Sequence, residues 1–278
     1  MSKKKNYQSY PDLQETLVNS QIDELKESIS RKGIYVKASV FDASEVKNLR
    51  QKIDHIWSAQ LDKYGEAFLK KINEYGSVRC MMDYDNDFLD LIQDERIFAD
   101  IASMIGKTSI LHLQNGIILF PQKTHNQSRY HKDFPKNFIS DEMLSMNALI
   151  VIDRFDKKSG GTYFVPGSHK FKERPSDAYI KKNEIQIFAN PGDVIYFDSM
   201  LWHKGGQNIS GKPRRAINQQ YTKPFIKQQI SYPDLLRDKV DIETSLAQIL
   251  GMWTIPPKNL DEYRVDHPSK RTYRGGQG

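Results

Sequence analysis

The sequence is poor in cysteine, with Cys80 as its single instance among 278 residues. One cysteine excludes an internal disulfide and any zinc site built from several cysteines. A chain without disulfides suits a reducing compartment, so we predict a cytoplasmic protein. The first residues, 1–13, carry charge but no apolar run behind it, so they do not have the pattern of a secretory signal.

Long hydrophobic runs are also missing. No stretch approaches the roughly 18 apolar residues that a transmembrane helix requires, so we predict no membrane partner. Internal repeats and low-complexity segments are absent as well. With 38% hydrophobic and 11% aromatic residues, the chain has enough apolar material for a core, which excludes general disorder. We expect residues 1–278 to form one domain.

The charge is moderately basic, at a formal +6, but it is not concentrated. Lysines form short clusters at 3–5, 70–71, 157–158 and 181–182. A nucleic-acid surface requires basic residues on one face with aromatic residues between them. Scattered pairs favour a solvated surface instead, so we do not expect nucleic acid to be the partner.

The first and last parts of the chain have helical patterns. In residues 1–107, Asp42 and Glu45 have capping-box spacing ahead of an apolar stripe from Val46 to Trp57. A second stripe with helical spacing runs from Phe88 to Ile105. Residues 223–278 return to a helix over 233–250 and end in a polar tail. We predict a mainly helical N-terminal part and a helical C-terminal part.

Residues 108–222 have a β pattern. Short runs rich in Ile, Val, Phe and Tyr alternate with Gly, Pro, Asn and Ser breakers. Many short strands at close spacing favour a jelly roll or barrel over a parallel sheet. The predicted strands are 110–120, 145–153, 162–165, 185–189, 194–198 and 215–221.

Two residues in this region have the spacing of metal ligands. Most of the seven histidines, including His112, are expected to be surface or packing residues. His131 and Asp133 differ, because residues two apart on an extended segment point the same way. Two histidines and one carboxylate form the facial triad of non-haem Fe(II) oxygenases. His203, after a β-rich run, is a candidate for the third ligand, and His169 in a turn-rich stretch is its alternative.

An anion-binding residue is expected close to such a centre if 2-oxoglutarate is the cosubstrate. Arginine suits the free carboxylate of 2-oxoglutarate because its planar fork matches a carboxylate at two points. Arg214 and Arg215 open the strand after His203. Side chains alternate along a strand, so one of the two is expected to point inward.

Together these parts resemble the phytanoyl-CoA dioxygenase family of Fe(II)- and 2-oxoglutarate-dependent oxygenases. The resemblance covers about residues 109–221 and rests on the order and spacing of its motifs. These are His131-Lys132-Asp133, the segment 160–170 (GGTYFVPGSHK), Gly192-Asp193, Trp202-His203 and Arg214.

The resemblance implies a double-stranded β-helix core, similar to a cupin, with flanking helices. It implies that His131, Asp133 and His203 bind Fe(II), with no catalytic side chain beyond these ligands. It places the oxoglutarate arginine at Arg214, eleven positions after His203. It also implies that Ser145 lies beside the cosubstrate and that Gln114 faces the substrate cavity.

The sequence departs from the family pattern at two places. Many relatives have a lysine where this chain has Phe120, before Pro121. Residues 134–138 lack the aromatic residues that bind substrate in ectoine hydroxylase, so neither ectoine nor phytanoyl-CoA is expected as the substrate. Other candidates for the substrate cavity are Phe134, Phe138 and Trp202. Basic residues around the metal loop suggest an anionic small molecule by steering; they are Lys123, Arg129, Lys132 and Lys136.

The resemblance therefore predicts an oxidoreductase that uses Fe(II), 2-oxoglutarate and O₂ to hydroxylate an unactivated C–H bond of a small molecule. The carboxylate of Asp133 favours hydroxylation, because related halogenases have a small residue there. The alternatives are a non-catalytic protein on the same barrel, a metal protein that does not use oxoglutarate, such as a cupin-like isomerase, and a nucleic-acid demethylase. A protein without the oxoglutarate reaction would not need Arg214.

Overall fold

Two antiparallel sheets face each other in a computed structural model, which describes residues 18–122, 126–134 and 138–265. The larger sheet has six strands in the order β1-β7-β4-β9-β3-β2, and the smaller has three in the order β6-β5-β8. This is the jelly-roll, double-stranded β-helix core that the sequence predicts. The strands are β1 (Ile34–Lys37), β2 (Ser77–Arg79), β3 (Ile110–Leu119), β4 (Ser145–Val151), β5 (Tyr163–Phe164), β6 (Ile185–Gln186), β7 (Val194–Asp198), β8 (His203–Lys204) and β9 (Arg214–Thr222).

Helices from both ends of the chain flank this core. The predicted capping box is confirmed, because Asp42 accepts from the backbone N–H of Ser44 and Glu45 while Glu45 accepts from that of Asp42. The helices are α1 (Gln21–Lys32), α2 (Ala43–Tyr64), α3 (Glu66–Lys71), α4 (Met81–Tyr84), α5 (Asp87–Ile92), α6 (Glu95–Ile105), α7 (Asp177–Asn183), α8 (Tyr232–Leu235), α9 (Ser245–Ile249) and α10 (Leu260–Tyr263). Among the described residues, no helix is long and apolar enough to span a membrane.

Strand alternation divides the large sheet into an outer and an inner face. On β4, Ala148 and Ile150 belong to the apolar cluster shared with the helices, which defines the outer face. Leu149 and Val151 belong to a second cluster between the two sheets, which defines the inner face. Successive side chains of a strand point to opposite faces, so each residue position on a strand decides which environment its side chain meets.

The helical layer joins distant parts of the chain. Leu25 and Ile53 from the N-terminal part and Ala247 and Ile249 from the C-terminal part lie in one buried cluster with residues of the large sheet. Each of these four side chains is 2% exposed or less. Burying a side chain of this size contributes about 1.5–3 kcal/mol to folding, so the helices and the sheet stabilise each other.

The structure adds three strands that the sequence did not predict: the two-residue β8 at the distal histidine and, in the N-terminal part, β1 and β2. β1 pairs with β7, with Ile34 opposite Phe197, and β2 pairs with β3. Both lie within the mainly helical part and are four and three residues long. Runs this short do not repeat an alternation often enough to separate it from chance.

The prediction of one helix over 233–250 is wrong. α8 ends at Leu235, and a new helix, α9, starts after Thr244, whose hydroxyl accepts from the backbone N–H of Ala247. The stripe from Phe88 to Ile105 is also divided, because Asp94 caps the start of α6. In both places polar residues interrupt the apolar pattern, and a capping side chain starts the next helix.

β3 contains an irregularity. Its register with β9 shifts between Leu111, which pairs with Tyr221, and Leu113, which pairs with Gln220. His112 lies in the shift and has no pairing partner on β9. Such a bulge changes the direction in which a side chain points.

Candidate metal centre

The structure brings His131, Asp133 and His203 together between the two sheets. The Nε2 atoms of both histidines lie 3.7 Å from Oδ1 of Asp133, and the possible ligand atoms of the three residues are all within 4.8 Å of one another. His131 and His203 also exchange two backbone hydrogen bonds of 3.0 Å. The backbone N–H of Asp133 donates to the carbonyl of Ser199 at 3.0 Å. These backbone hydrogen bonds therefore fix the relative positions of the three Cα atoms that carry the ligand side chains.

Both imidazoles are held in the tautomer that a metal requires. Nδ1 of His131 lies 2.8 Å from the carbonyl of Arg129, and Nδ1 of His203 lies 2.8 Å from the carbonyl of Leu201. A carbonyl can only accept, so each Nδ1 carries a proton, and Nε2 is the nitrogen with the free lone pair in the neutral ring. Burial, with help from the neighbouring His131, lowers the pKa of His203 to about 4, so this ligand is neutral at pH 7.

The carboxylate of Asp133 is oriented by a polar network. Nδ2 of Asn147 donates to Oδ2 of Asp133 at 2.8 Å, and the hydroxyl of Ser199 donates to Oδ1 of Asn147 at 2.5 Å. Ser145 is 2.7 Å from the same Ser199 hydroxyl. With Oδ2 held, Oδ1 is the oxygen that faces the histidines. Two imidazoles and one carboxylate suit a divalent transition metal such as iron.

One cavity is lined by Asp133 and His203 of the triad and also by Arg214. Its wall combines apolar side chains with a few polar ones. The other lining residues are Ile117, Gln127, Leu149, Thr162, Phe197, Gly205 and Asn218.

Arg214 is a buried cation without a counter-charge in contact. The residue is 4% exposed, and its Nε has no hydrogen-bond partner within the described parts of the chain. Its guanidinium carbon lies 4.1 Å from the ring centroid of Phe155. Burial lowers the pKa of Arg214 to about 10, against the attraction of Asp153, so the group stays charged at pH 7. An uncompensated buried charge is costly, which indicates that an anion occupies the cavity beside it.

Arg215 points to the opposite face and is fully paired. Its Nε lies 2.6 Å from Asp54 and its Nη1 lies 2.9 Å from Asp153. The structure thus separates the two arginines as alternation predicts, with Arg214 inward and Arg215 outward.

Sequence reasoning missed three polar residues of the cavity, Gln127, Thr162 and Asn218. Asn218 lies four residues after Arg214 on the same face of β9, and its Oδ1 accepts from Nδ2 of Asn147 at 3.1 Å. The inward alternation from Arg214 was a signal that could have found Asn218. Thr162 follows the Gly160-Gly161 pair of the family motif, which marked its segment but not its role.

Ser145, expected beside the cosubstrate, lies on the inner face but is not among the residues that line the cavity. Its hydroxyl donates to the carbonyl of Tyr221 at 2.9 Å and accepts from Nε2 of Gln220 at 3.0 Å. It is connected to Asp133 only through Ser199 and Asn147, as part of the network that orients the carboxylate.

Gln114, expected at the substrate cavity, lies on the outer face of β3. It pairs with Gln219, its Nε2 donates to the carbonyl of Phe88 at 2.9 Å, and its backbone N–H donates to the hydroxyl of Tyr232 at 3.1 Å. The prediction placed this side chain on the wrong face, because the pairing register with β9 sets the face and is not visible in the sequence.

Trp202 does not join the triad either. Its ring packs under Nζ of Lys132, 5.5 Å from the ring centroid, and both residues alternate with the ligands beside them. Alternation turns them away from the metal side, so a direct substrate contact of Trp202 is not supported by its position. His169, the alternative ligand, lies instead against Gly33 and outside the triad.

Phe134 is the predicted substrate residue that remains close to the metal centre. It follows Asp133, and its ring lies 6.2 Å from that of His112. Phe138 is half-buried after the gap in the described chain. His112 was expected to be a packing residue, but the structure brings it to this end of the site. His125, His267, Lys123 and Lys136 lie outside the described residues.

Comparisons with known proteins agree with this architecture. The profile of the phytanoyl-CoA dioxygenase (PhyH) family matches residues 29–216. An uncharacterised protein of Mycobacterium tuberculosis (strain ATCC 25618 / H37Rv) is 36% identical over 267 residues, which cover 94% of this chain and 97% of that protein.

Two solved structures show the same fold. EctD from S. alaskensis, crystallised with 2-oxoglutarate and 5-hydroxyectoine, has a TM-score of 0.63 at 20% identity, over 74% of this chain and 78% of that one. SnoN, a non-heme alpha ketoglutarate dependent epimerase from nogalamycin biosynthesis, has a TM-score of 0.53 at 18% identity, over 72% of this chain and 82% of that one. At these identities the likeness concerns the fold and leaves the substrate open.

Proposed function

The chain belongs to the phytanoyl-CoA dioxygenase family, and on this basis we propose that it is an Fe(II)- and 2-oxoglutarate-dependent oxygenase that hydroxylates an unactivated C–H bond of a small-molecule metabolite or biosynthetic intermediate. One observation carries the proposal. The same cavity is lined by Asp133 and His203 of the His-Asp-His triad and by a buried arginine whose Nε has no hydrogen-bond partner among the described residues.

His131, Asp133 and His203 would hold the iron through Nε2, Oδ1 and Nε2. The donor set fits, because in both histidines Nδ1 is engaged with a carbonyl, which leaves Nε2 for the metal, and Asn147 leaves Oδ1 of Asp133 free. Iron with O₂ and 2-oxoglutarate supplies the oxidation, in which the substrate gains one oxygen atom and 2-oxoglutarate becomes succinate and CO₂. The protein positions these reactants and excludes side reactions.

Arg214 would bind the carboxylate of 2-oxoglutarate that does not face the iron. A bidentate, charge-assisted pair in a buried position is strong and directional. Ile117, Leu149 and Phe197 form apolar walls around this path and exclude water, while Asn218 and Thr162 offer polar groups. Binding of the dianion would therefore compensate the charge of Arg214 and complete the site.

The alternatives fit these contacts less well. A non-catalytic barrel does not require two oriented imidazoles, and a metal protein without oxoglutarate does not require the buried cation of Arg214. Because the fold also hosts an epimerase, another outcome than hydroxylation is the second candidate reaction. The carboxylate ligand Asp133 still favours hydroxylation over halogenation.

We also propose that the chain forms one oxygenase domain, because the N- and C-terminal helices share a buried cluster with the sheet. We propose a cytoplasmic location on the basis of the single cysteine.

The proposal that the substrate is anionic is based on the basic residues of the metal loop. Of these, Lys132 is bound to the carbonyls of Phe171 and Lys172, and Arg129 is exposed.

The test is to mix anaerobic protein with Fe(II) and 2-oxoglutarate and to record the metal-to-ligand charge-transfer band in the visible region. We expect a band in the wild type, no band in His131→Ala, and a band in Arg214→Ala only at a much higher 2-oxoglutarate concentration. Arg215→Ala is the matched control and should keep the wild-type titration. If iron-loaded wild type gives no band, the oxoglutarate reaction is excluded and the alternatives replace it.

A further inference from the structure

The β-bulge in β3 contains a histidine to which the proposed function gives no role. His112 has no pairing partner on β9, and its ring lies 6.2 Å from that of Phe134, the residue after Asp133. Among the described residues, Asp133 is the charged group that acts on the His112 imidazole, and its negative charge opposes the lowering of the pKa of His112 by burial. Bulges are frequent beside active sites, where they redirect one side chain.

The imidazole of His112 has unused hydrogen-bonding capacity. Its Nδ1 is buried and has no partner within the residues that the structure describes. Burial lowers the pKa of His112, against the attraction of Asp133, so the ring is neutral at pH 7. A neutral imidazole offers one donor and one acceptor. Buried polar groups normally have partners, so an orphaned one beside a metal centre indicates a ligand.

A second orphaned group lies at the same end of the inner face. Thr222 is fully buried, and its hydroxyl has no hydrogen-bond partner in the described structure. It pairs with Ser145 on one side and with Ile110, two residues before His112, on the other. By contrast, Ser145, Ser199 and Gln220 satisfy one another.

Thr222 lies at the opposite end of β9 from Arg214, so the two ends can hold the substrate and the cosubstrate separately. Arg214 begins β9 and Thr222 ends it, and both point to the inner face with Asn218 between them. At about 3.3 Å per residue, roughly 26 Å of strand separates the two ends. The cavity towards Arg214 is assigned to the cosubstrate, so the end with His112 and Thr222 remains for the substrate.

We propose, on the basis of the proposed function, that the substrate places an uncharged hydrogen-bonding group, such as a hydroxyl or carbonyl oxygen, against His112 and Thr222 and an apolar face against Phe134. A charged group would be desolvated here without an opposite charge to compensate it. The basic residues of the metal loop attract an anionic substrate while it approaches from solvent. They do not compensate a charge that is buried beside His112 and Thr222.

The test uses the anaerobic Fe(II)–2-oxoglutarate protein and small probes of one shape. Cyclohexanol and cyclohexanone are the neutral probes, and cyclohexanecarboxylate is the matched anion. Binding is followed by ligand-observed NMR and by the change in the charge-transfer band. Thr222→Val removes the hydroxyl at nearly constant shape, and Thr222→Ser restores it. His112→Leu removes the ring nitrogens, and His112→Asn keeps a polar atom close to the position of Nδ1.

We expect the neutral probes to bind about tenfold more tightly than the anion. Thr222→Val and His112→Leu should each weaken their binding about fivefold to tenfold, and Thr222→Ser and His112→Asn should restore most of it. Equal or tighter binding of the anion, neutral probes that do not bind at about 20 mM, or unchanged affinity in Thr222→Val overturns the proposal. If the band forms but these results fail, the substrate class alone is wrong. If the band never forms, the proposed function itself fails.

Discussion

Nδ2 of Asn147 donates to Oδ2 of Asp133 at 2.8 Å, and it also donates to Oδ1 of Asn218 at 3.1 Å. One amide group therefore orients a metal ligand and links it to the wall of the cosubstrate cavity. Partners of this kind typically change metal affinity by about 10–100-fold when they are removed. We expect Asn147→Ala to weaken Fe(II) binding within this range, as measured by anaerobic titration.

The control for this prediction is Asn48→Ala, at an exposed asparagine of α2. It should leave Fe(II) affinity unchanged. The free energy of unfolding of both metal-free variants should be measured beside the titrations, so that a general loss of structure is separated from a loss of ligand orientation. Wild-type iron affinity in folded Asn147→Ala would contradict the prediction.

Arg214 and Arg215 should have opposite effects on the stability of the cosubstrate-free protein. Arg214→Met replaces an uncompensated buried cation with an apolar side chain, which we expect to raise the free energy of unfolding by about 1–2 kcal/mol. Arg215→Met loses the ion pairs with Asp54 and Asp153 and should lower it. Urea unfolding at pH 7.5 measures both. Added 2-oxoglutarate with iron should stabilise Arg215→Met but not Arg214→Met, and a loss of stability in Arg214→Met would argue against an empty anion site.

Glu184 contacts both segments that carry the two candidate histidine ligands. It accepts from the hydroxyl of Tyr130, the residue before His131, and lies 3.4 Å from Nζ of Lys204, the residue after His203. We expect Glu184→Ala to raise the Kd for Fe(II) about threefold to tenfold while the KM for 2-oxoglutarate stays close to the wild type. Asp177→Ala, at the exposed start of α7, the helix that ends just before Glu184, is the control. A change in KM without a change in iron affinity would rule out this positioning role.

Asp198 should make stability depend on pH. Burial raises its pKa to about 6, although Met200 N–H and Lys132 act in the other direction. A raised pKa in the folded state means that its stabilising contribution is complete below about pH 4 and is lost as the pH rises through about 6. Asp198→Asn keeps an acceptor for Met200 N–H and removes this loss.

The free energy of unfolding of Asp198→Asn relative to wild type should therefore increase between pH 4 and pH 7.5, by at most about 3 kcal/mol. Asp62→Asn, at an exposed position of α2, should show no such increase. The assignment fails if the difference between Asp198→Asn and wild type is the same at both pH values.

The sequence predicted the parts of the site that depend on local spacing. His131 and Asp133 share a face because they are two residues apart on an extended segment, and the inward direction of Arg214 follows from alternation. The faces of Gln114 and His112 depend on the register between β3 and β9 and on a bulge. A shift of one residue moves every side chain to the other face, and nothing local in the sequence fixes that shift.

The fold was predictable to a similar degree. The strand-rich core and the first helices follow from apolar periodicity, as the capping box at Asp42 shows. β1 joins the large sheet through Ile34 opposite Phe197, far along the chain, and that pairing is a property of the assembled sheet. The break before α9 covers the mostly polar residues 236–244, and Thr244 at its end caps the new helix.

The two backbone hydrogen bonds between His131 and His203 join segments that are far apart in the chain. Each segment holds only part of the triad, so the complete set of candidate ligands forms only when the two segments pair in the folded chain. On the proposed function, iron would bind the native chain and not the unfolded one, and by mass action it would raise the free energy of unfolding as its concentration exceeds its Kd. Iron would then act as a reversible cross-link between the two segments.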